Sequence, residues 1–555
     1  MRHGGKILID QLEIQGATTA FTVPGESFLA ALDGLHDSNR IKTIICRQEG
    51  GASMMAEAWG KITGEPGICF VTRGPGAANA MSGLHVARQD STPMLTFVGM
   101  PSSGHEDREA FQEFETKELL SSFVKWAAVI RQTERIPEYV SHAFHMARSG
   151  RPGPVVLGLP EDMLAAECKA TDAKRANIAV AHPSAADMAA LQAALAKATR
   201  PLMIVGGPGW SASIKASVET FAERFDLPVA SAFRYQDYVD NRHRCYVGCV
   251  GIGIDPKLAQ AVKTADVLIV VGARLGEMTS SGYTLVDIPN PQQFLVHVHP
   301  SPDELGSVYR PDLPIAASAQ AFADALGTLQ PPARVAWGEH RAGLRAACEA
   351  YLKPLPLPGA VKLAEVIRIT SEILPDDAIV TNGAGNYAAF LHRYFEYKSY
   401  RTQLAPTSGS MGYGLPAAIA AQLAHPDRPV VNFQGDGCFM MTGQELATAV
   451  QYSLPIITVI PNNGMYGTIR MHQEREYPSR VVGTTLVNPD FAAYARSFGA
   501  DGYTIESTAD FAPALRAALK VGKPCIIELK IDPEALAVRQ TLSQVRAGAA
   551  SKRKG

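Results

Sequence analysis

Short runs of consecutive apolar residues, rich in Val and Ile, alternate along the chain with segments whose apolar positions follow a helical period. The runs occupy residues 68–71, 155–157, 202–205, 267–271, 430–433 and 456–460. Strands that are apolar at every position, rather than at every second one, are typical of parallel sheets covered by helices on both faces. The pattern therefore predicts an α/β fold built from doubly wound parallel sheets.

Two polar or proline-rich stretches interrupt this alternation. They cover about residues 165–183 and 331–358, and the second contains the run KPLPLP. Such composition is typical of linkers. We therefore expect three domains, at residues 1–165, 184–330 and 359–540, followed by a basic tail at 541–555. Each domain is long enough to form its own core.

The first and third domains repeat one pattern of strand, glycine turn, helix, proline and strand. Gly74-Pro75-Gly76 and Pro93 mark it in the first domain, and Gly435-Asp436-Gly437 and Pro455 take the same places in the third. A glycine turn at the carboxyl end of a strand is where open α/β sheets bind ligands. Two such units could hold the two ends of one extended ligand, although general Rossmann-like similarity is the alternative.

Composition narrows the classes of function. The 555 residues carry a formal net charge of −2, so no basic surface for nucleic acid is expected. The eight cysteines contain no CxxC pair, and we expect them to be reduced. The sequence has neither a signal-peptide pattern nor an apolar run long enough to span a membrane. A cytoplasmic protein without a membrane partner is the resulting expectation.

Asp436 lies at a glycine turn suited to a phosphate, which its charge would repel. A hard cation removes this conflict, because Mg²⁺ commonly bridges carboxylate and phosphate oxygens. Asn463 follows the next strand and should return to the same sheet edge with an amide oxygen. The backbone carbonyl of Met465 could be a third ligand. The spacing from the glycine turn to Asn462-Asn463 therefore predicts a magnesium diphosphate site.

This segment resembles the thiamine diphosphate motif. From about Lys6 to about Leu536 the chain is similar to the acetolactate synthase family of decarboxylases and carboligases, which is related to benzoylformate decarboxylase and benzaldehyde lyase. The resemblance implies pyrimidine-binding, central and diphosphate-binding domains in this order. It also implies homodimers or homotetramers with active sites between subunits. The residues that it places at the cofactor are Pro24, Asn79, Asn386, Gly409, Met411, Gly435, Asp436, Gly437, Cys438, Asn463, Met465, Tyr466 and Gly467, with Asp436, Asn463 and the Met465 carbonyl as metal ligands.

Glu49 leads into a helical pattern rich in Ala and Met, where a carboxyl group is partly withdrawn from water. The resemblance gives Glu49 the role of protonating the aminopyrimidine ring of thiamine diphosphate, which activates the thiazolium as a nucleophile. Gly409 and Met411 match the family positions that hold the cofactor in its bent form. A helix-capping or ion-pairing role for Glu49 is the alternative.

Three further residues fall at positions that line the site in relatives. Glu26 stands where some decarboxylases of the superfamily have an acid, and Gln112 is a candidate to hydrogen-bond substrate oxygens. His85 follows Gly74-Pro75-Gly76 on a helix, and we expect a structural role for it. His472 occupies the place of a Trp that is typical of acetolactate synthases, so selectivity for that family's substrates is not expected.

The central domain keeps only part of the family's flavin pattern. Gly272-Ala273-Arg274 matches its start, but Leu275-Gly276-Glu277-Met278 lacks the usual continuation, and His297-Val298-His299 departs from the usual His-Ile-Asp. FAD therefore stays an open alternative as a second cofactor.

The preferred interpretation is a decarboxylating carboligase that joins a 2-oxo acid to an aldehyde or ketone. A simple 2-oxo acid decarboxylase or an acyloin lyase is the alternative within this chemistry, and Glu26 as a proton donor would favour it. An NAD-dependent dehydrogenase would need a GxGxxG turn with a downstream acid, and we find no convincing example. A cofactor-binding regulatory protein without turnover is disfavoured by the presence of Glu49.

Overall fold

Every apolar run named above lies within one strand, except that Ile456 directly precedes its strand, in a computed structural model that describes residues 1–552. The strands build three six-stranded sheets, and all neighbouring strands within each sheet are parallel. Helices cover both faces of the sheets, so that inner strands such as Gly67–Val71, Val267–Val271 and Val430–Phe433 are buried along their whole length. This confirms the predicted fold class of doubly wound α/β domains.

The first unit has the sheet order β3-β2-β4-β5-β7-β6, and β1 pairs with β8 in a separate antiparallel ribbon. Its elements are β1 (Arg2–His3), α1 (Gly4–Gln15), β2 (Thr19–Thr22), α2 (Leu29–His36), β3 (Lys42–Ile45), α3 (Glu49–Thr63), β4 (Gly67–Val71), α4 (Gly74–Asp90), β5 (Met94–Met100), α5 (Thr116–Leu120), β6 (Trp126–Val129), α6 (Ile136–Arg148), β7 (Pro154–Pro160), α7 (Glu161–Ala165) and β8 (Glu167–Cys168).

The central unit has the order β11-β10-β9-β12-β13-β14. Its elements are α8 (Ala185–Lys197), β9 (Leu202–Val205), α9 (Ala212–Phe225), β10 (Val229–Ser231), β11 (Tyr246–Cys249), α10 (Pro256–Thr264), β12 (Val267–Val271), β13 (Phe294–His299), β14 (Leu313–Ala316), α11 (Ala319–Leu326) and α12 (Gly338–Tyr351).

The C-terminal unit has the order β16-β15-β17-β18-β20-β19. Its elements are α13 (Leu363–Ile373), β15 (Ile379–Asn382), α14 (Asn386–Tyr394), β16 (Gln403–Leu404), α15 (Gly414–Ala424), β17 (Val430–Phe433), α16 (Asp436–Phe439), α17 (Leu446–Gln451), β18 (Ile457–Asn462), α18 (Gly467–Glu476), α19 (Phe491–Ser497), β19 (Asp501–Ile505), α20 (Thr508–Val521), β20 (Cys525–Lys530) and α21 (Leu542–Lys552).

The repeat seen in the sequence is also a repeat of topology. When the strands of each six-stranded sheet are numbered in chain order, the first and third sheets share the order 2-1-3-4-6-5, whereas the central sheet has the order 3-2-1-4-5-6. In the first and third sheets the chain reverses its direction of winding between the strands numbered 1 and 3. Open sheets of this kind bind ligands outside the carboxyl ends of the strands at such a switch point.

Two stretches outside the three expected domains, the second linker and the basic tail, contain helices. In the second linker stretch, α12 packs on the central unit, where Trp337 Nε1 donates to Phe225 O at 3.1 Å. Within 541–555, α21 packs on α18, and Arg546 Nη2 donates to the buried carboxylate of Glu474 at 2.7 Å. Residues 553–555 lie outside the described part of the chain. In both segments the helix forms because tertiary contacts bury one of its faces, which linker composition does not reveal.

In the described chain, residues 1–552, no helix is long and apolar enough to cross a membrane.

Candidate active site

The carboxyl ends of β15, β16, β17 and β18 surround a cavity of about 260 Å³. Asn386 follows β15, Gly409 and Met411 follow β16, the turn at Gly435 follows β17, and Asn463 follows β18. The cavity brings together eleven of the thirteen residues expected at the cofactor, namely Asn386, Gly409, Met411, Gly435, Asp436, Gly437, Cys438, Asn463, Met465, Tyr466 and Gly467.

Asp436 is the charged group of this cavity, and only 3% of its surface is exposed. Its Oδ1 accepts from Gly437 N at 2.9 Å, and its Oδ2 accepts from Gly464 N at 2.9 Å and Asn488 Nδ2 at 2.8 Å. Burial raises the pKa of Asp436, while these hydrogen bonds oppose the shift. All three partners are neutral donors, so a cation beside the carboxylate would offset the cost of burying its charge.

The neighbouring oxygen atoms suit a hard cation. Asn462 Oδ1 lies beside the same two donors, accepting from Gly464 N at 3.2 Å and Asn488 Nδ2 at 2.9 Å. Asn463 Oδ1 accepts from Met465 N at 3.2 Å. No group of three or more His, Cys, Asp or Glu side chains within residues 1–552 could hold a metal. A cation here would therefore take one carboxylate and neutral oxygens, which is a donor set that fits Mg²⁺.

Two longer helices start at the cavity, since Asn386 is the first residue of α14 and Gly467 is the first residue of α18. Their unpaired N–H groups and positive dipole ends favour an anion. Gly437 and Gly467 also line the cavity, where the sequence suggested that glycine lets a phosphate approach the backbone. The structure gives another reason for glycine at these positions. A Cβ on Gly437 would lie 2.6 Å from the Tyr466 ring, and one on Gly467 would lie 2.3 Å from Leu536. Packing of protein groups, rather than approach to a ligand, therefore requires glycine at both positions.

The turn that carries Gly409 and Met411 is fixed at both ends by the first unit. Thr407 N donates to Asp90 Oδ1 at 2.9 Å, and the hydroxyl of Tyr413 donates to Glu57. Between these anchors Gly409 has φ 69°, a left-handed conformation that favours glycine. The turn is therefore held in place by α3 and α4.

The remaining predicted residues meet at the carboxyl edge of the first sheet. Glu49 is the first residue of α3, and its Oε2 accepts from Asn79 Nδ2 at 2.9 Å. A Cβ on Gly76 would lie 3.3 Å from Glu49 Oε1 and 2.8 Å from Thr72 Cγ2. The turn of Pro24 and Glu26 reaches the same Thr72, because Ser27 Oγ lies 2.9 Å from Thr72 Oγ1.

Gln112 joins this edge through its backbone. Its carbonyl accepts from Gly74 N at 3.1 Å, and its φ of 60° turns the chain there. Pro24, Glu26 and Asn79 are exposed, and Glu49 and Gln112 are half-buried. Glu49 is not among the residues that line the Asp436 cavity, all of which lie between Leu363 and Leu536. Within one chain the predicted residues therefore form two separate groups.

A larger cavity of about 800 Å³ lies between the three units and shares Asn386, Gly409 and Thr468 with the first one. Its charged and histidine side chains are His85, Arg234, Glu277, Arg274, His392, His472 and Arg475. The flavin-like segment therefore borders a space next to the Asp436 cavity. His297 and His299 are buried in β13, and burial lowers the pKa of His299 to about 4.

Sequence reasoning missed several polar residues that complete the two groups. Asn488 donates to Asp436 from a loop 52 positions further along, and no spacing rule points to it. Arg234 and Arg475 border the larger cavity without a motif. Asn462 could have been found, since it is the first residue of the Asn-Asn pair.

Three family models match the chain. They describe the N-terminal TPP binding domain of thiamine pyrophosphate enzymes over residues 2–119, the central domain over 188–326 and the C-terminal TPP binding domain over 383–529. The acetolactate synthase large subunit of Parasynechococcus marenigrum is 32% identical over 547 residues, covering 95% of this chain and 87% of the relative. The isozyme 2 large subunit of Escherichia coli is 30% identical over 534 residues, covering 96% of each chain.

Proposed function

This chain belongs to the acetolactate synthase family of thiamine pyrophosphate enzymes, and from that premise we propose that it is a Mg²⁺-dependent, decarboxylating carboligase of a 2-oxo acid in which Glu49 activates the cofactor. The observation that carries the proposal is the buried Asp436 carboxylate, which has only neutral donors in a cavity between two helix N-termini.

Asp436, Asn463 and the carbonyl of Met465 would hold Mg²⁺, and the N–H groups at the starts of α14 and α18 would bind the diphosphate. Asn386, Cys438 and Tyr466 line the same cavity and would contact the cofactor. Met411, at the end of the anchored turn, would support its bend. When bound, thiamine diphosphate supplies a nucleophilic carbon and an electron sink for the loss of CO₂ from a 2-oxo acid.

Glu49 would hold the proton that is shared with the cofactor's ring. Asn79 donates to Oε2, which leaves Oε1 beside Gly76 free to carry that proton. The carboxyl group is half-buried at the start of α3.

Gln112 and Glu26 would act on the substrate, since both belong to the edge that presents Glu49. A side-chain amide can donate to the carboxylate or carbonyl oxygen of a 2-oxo acid. Glu26 supports a second candidate function, a decarboxylase or acyloin lyase, because an exposed carboxyl group at this edge could protonate the carbon that a carboligase would instead bond to a second carbonyl carbon.

The separation of the two groups within one chain supports a homodimer or homotetramer with active sites between subunits, in which the Glu49 edge of one protomer covers the Asp436 cavity of its partner. Each protomer would contain three domains, at residues 1–165, 184–330 and 359–540. The cavity of about 800 Å³ is where FAD would lie if the central domain binds it.

The test is a panel of 2-oxo acids, aldehydes, ketones and acyloins, incubated with protein, thiamine diphosphate and Mg²⁺, with products identified by mass spectrometry. A carboligase yields a product containing carbon from both substrates together with CO₂. An aldehyde alone would support the decarboxylase, and cleavage of an acyloin would support the lyase. No turnover of any substrate would contradict the proposal.

A further inference from the structure

Side chains of the C-terminal unit form hydrogen bonds with the backbone of β3, the strand that leads to Glu49. β3 is an edge strand, and an edge leaves backbone groups without partners in the sheet. The hydroxyl of Tyr452 accepts from Ile45 N at 2.8 Å and donates to Thr43 O at 3.2 Å. Arg47 Nη2 donates to Gln451 Oε1 at 2.6 Å. The end of β3 is thus held from outside its own sheet.

Glu445, which also belongs to the C-terminal unit, forms hydrogen bonds with the two residues directly before Glu49. Its side chain is fully buried, and Oε1 accepts from the backbone N–H groups of Arg47 and Gln48, each at 3.0 Å. Oε2 accepts from the Thr448 hydroxyl at 2.6 Å. Hydrogen bonds to a carboxylate are shorter and stronger than those between neutral groups. The turn between β3 and α3 is therefore tied to a single buried carboxylate.

The first turn of α3 is shaped to admit that carboxylate. A Cβ on Gly51 would lie 2.4 Å from Glu445 Oε1, so only glycine leaves room for it. Gln48, the N-cap of α3, accepts from Gly51 N at 3.1 Å. Glu49 lies between Gln48, whose N–H donates to Glu445, and Gly51, which packs against the Glu445 carboxylate.

We propose that Glu445 is a positioning residue, which acts through the Arg47 and Gln48 N–H groups to hold Glu49 where it can exchange a proton with the cofactor. This inference rests on the proposed function of Glu49. A catalytic group must be held to within about 0.5 Å of its working position. A misplacement of about 1 Å by a change outside the reacting groups can cost roughly 100-fold in rate.

The test compares Glu445→Ala with Asp266→Ala. Asp266 is a matched control, because its carboxylate also accepts from two backbone N–H groups, of Thr199 and Arg200, and from the Thr199 hydroxyl, but in the central unit. We expect Glu445→Ala to lower kcat about 100-fold, with less than about a 3-fold change in the dissociation constant of thiamine diphosphate. Asp266→Ala should keep kcat within about 2-fold of the unaltered protein.

A second measurement needs no activity. In protein without cofactor, hydrogen exchange at the Arg47 and Gln48 amides should be at least about 10-fold faster in Glu445→Ala, because their acceptor is lost. The Asp266→Ala protein should leave these amides unchanged. Glu445→Gln keeps an acceptor oxygen and can donate to Thr448, so it should retain at least about a third of kcat.

Equal losses of kcat in Glu445→Ala and Asp266→Ala, or equal losses in Glu445→Ala and Glu445→Gln, would overturn the positioning role. If Glu445→Ala does not fold, Glu445→Asp replaces it, since the shorter side chain withdraws the carboxylate and should lower kcat about 10-fold. An unchanged kcat in that variant would also overturn the role. Glu49→Gln separates the two proposals: full turnover in Glu49→Gln rejects the function of Glu49, whereas an inactive Glu49→Gln beside a normal Glu445→Ala rejects only the positioning.

Discussion

The carboxyl edges of the first and third sheets share a strand order but present their functional side chains differently. At the third sheet Asp436 is 3% exposed, and its oxygens are bonded inside a cavity. At the first sheet Glu26 and Asn79 are exposed, and the neighbouring Phe111 has 69% of its surface in contact with solvent. One chain therefore contains an enclosed site around Asp436 and an open edge that carries Glu49, the residue proposed to transfer the proton.

The difference in exposure has a consequence for how the two edges form. A buried carboxylate is stable only with its hydrogen bonds formed, so the Asp436 cavity has to be assembled when the chain folds. At the Glu49 edge the predicted side chains are exposed or half-buried, so water reaches them in the single chain. A buried cluster links the first unit to the turn that carries Gly409: Lys61 Nζ contacts Asp90 and lies 3.2 Å from Glu57, and Asp90 Oδ1 accepts from Thr407 N at 2.9 Å.

The largest expected effect is the loss of turnover when Glu49, on the open edge, is replaced. Glu49→Gln should lower kcat by about 10²–10⁴-fold, because proton transfer by a positioned side chain contributes that much. Binding of thiamine diphosphate with Mg²⁺, measured by calorimetry, should change little, since the Asp436 cavity is untouched. Glu65→Gln, just beyond the other end of α3, is the control. A rate in Glu49→Gln equal to that of the control would show that the open edge does not do the chemistry.

The buried cluster that links the first unit to the Gly409 turn should matter mainly for stability. Lys61→Met leaves Glu57 and Asp90 buried without their shared cation, and burial already raises the pKa of Glu57. We expect a loss of about 3–5 kcal/mol in the free energy of unfolding, measured by urea denaturation.

Arg368→Met provides the comparison for Lys61→Met. Arg368 forms an exposed pair with Glu372 at 3.8 Å, and its removal should cost less than about 1 kcal/mol. If the two variants lose the same free energy of unfolding, the buried cluster does not hold the first unit and the Gly409 turn together.

The enclosed edge can be tested through metal dependence. Asp436→Ala should weaken thiamine diphosphate binding in Mg²⁺ by about 100-fold, because a charge-assisted contact worth roughly 1.5–3 kcal/mol is lost. Chelation of Mg²⁺ should then have no further effect on binding. Asp436→Asn keeps the size and an acceptor oxygen and should show the same loss of metal dependence. Retained metal-dependent binding in either variant would remove Asp436 from the site.

The smallest effect is expected for Glu26, which lies on the open edge. Glu26→Gln should reduce the protonated, aldehyde product relative to the ligated product by about 3–10-fold, because a general acid is lost. Mass spectrometry of both products from one 2-oxo acid gives this ratio directly. An unaltered ratio would leave Glu26 without a role in choosing between ligation and decarboxylation.

The sequence alone determined the fold class and the strand–turn positions of the enclosed edge. Asp436 and Asn463 belong to one βαβ unit, so the spacing of turn and strand residues predicts that they meet. Glu49 and Glu26 could also be assigned to one edge, because each follows a strand of the first sheet, whereas Gln112 was assigned to the site by the family resemblance. These predictions depend on local periodicity and on the parallel arrangement of neighbouring strands.

Only the tertiary structure decided what surrounds these residues. Glu445 bonds to Arg47 across 398 positions of the chain, and Asn488 reaches Asp436 from a separate loop. Likewise, α12 and α21 are helices because they pack against neighbouring elements. Contacts between segments so far apart depend on how the sheets and helices pack against one another, and no local pattern of residues encodes that packing.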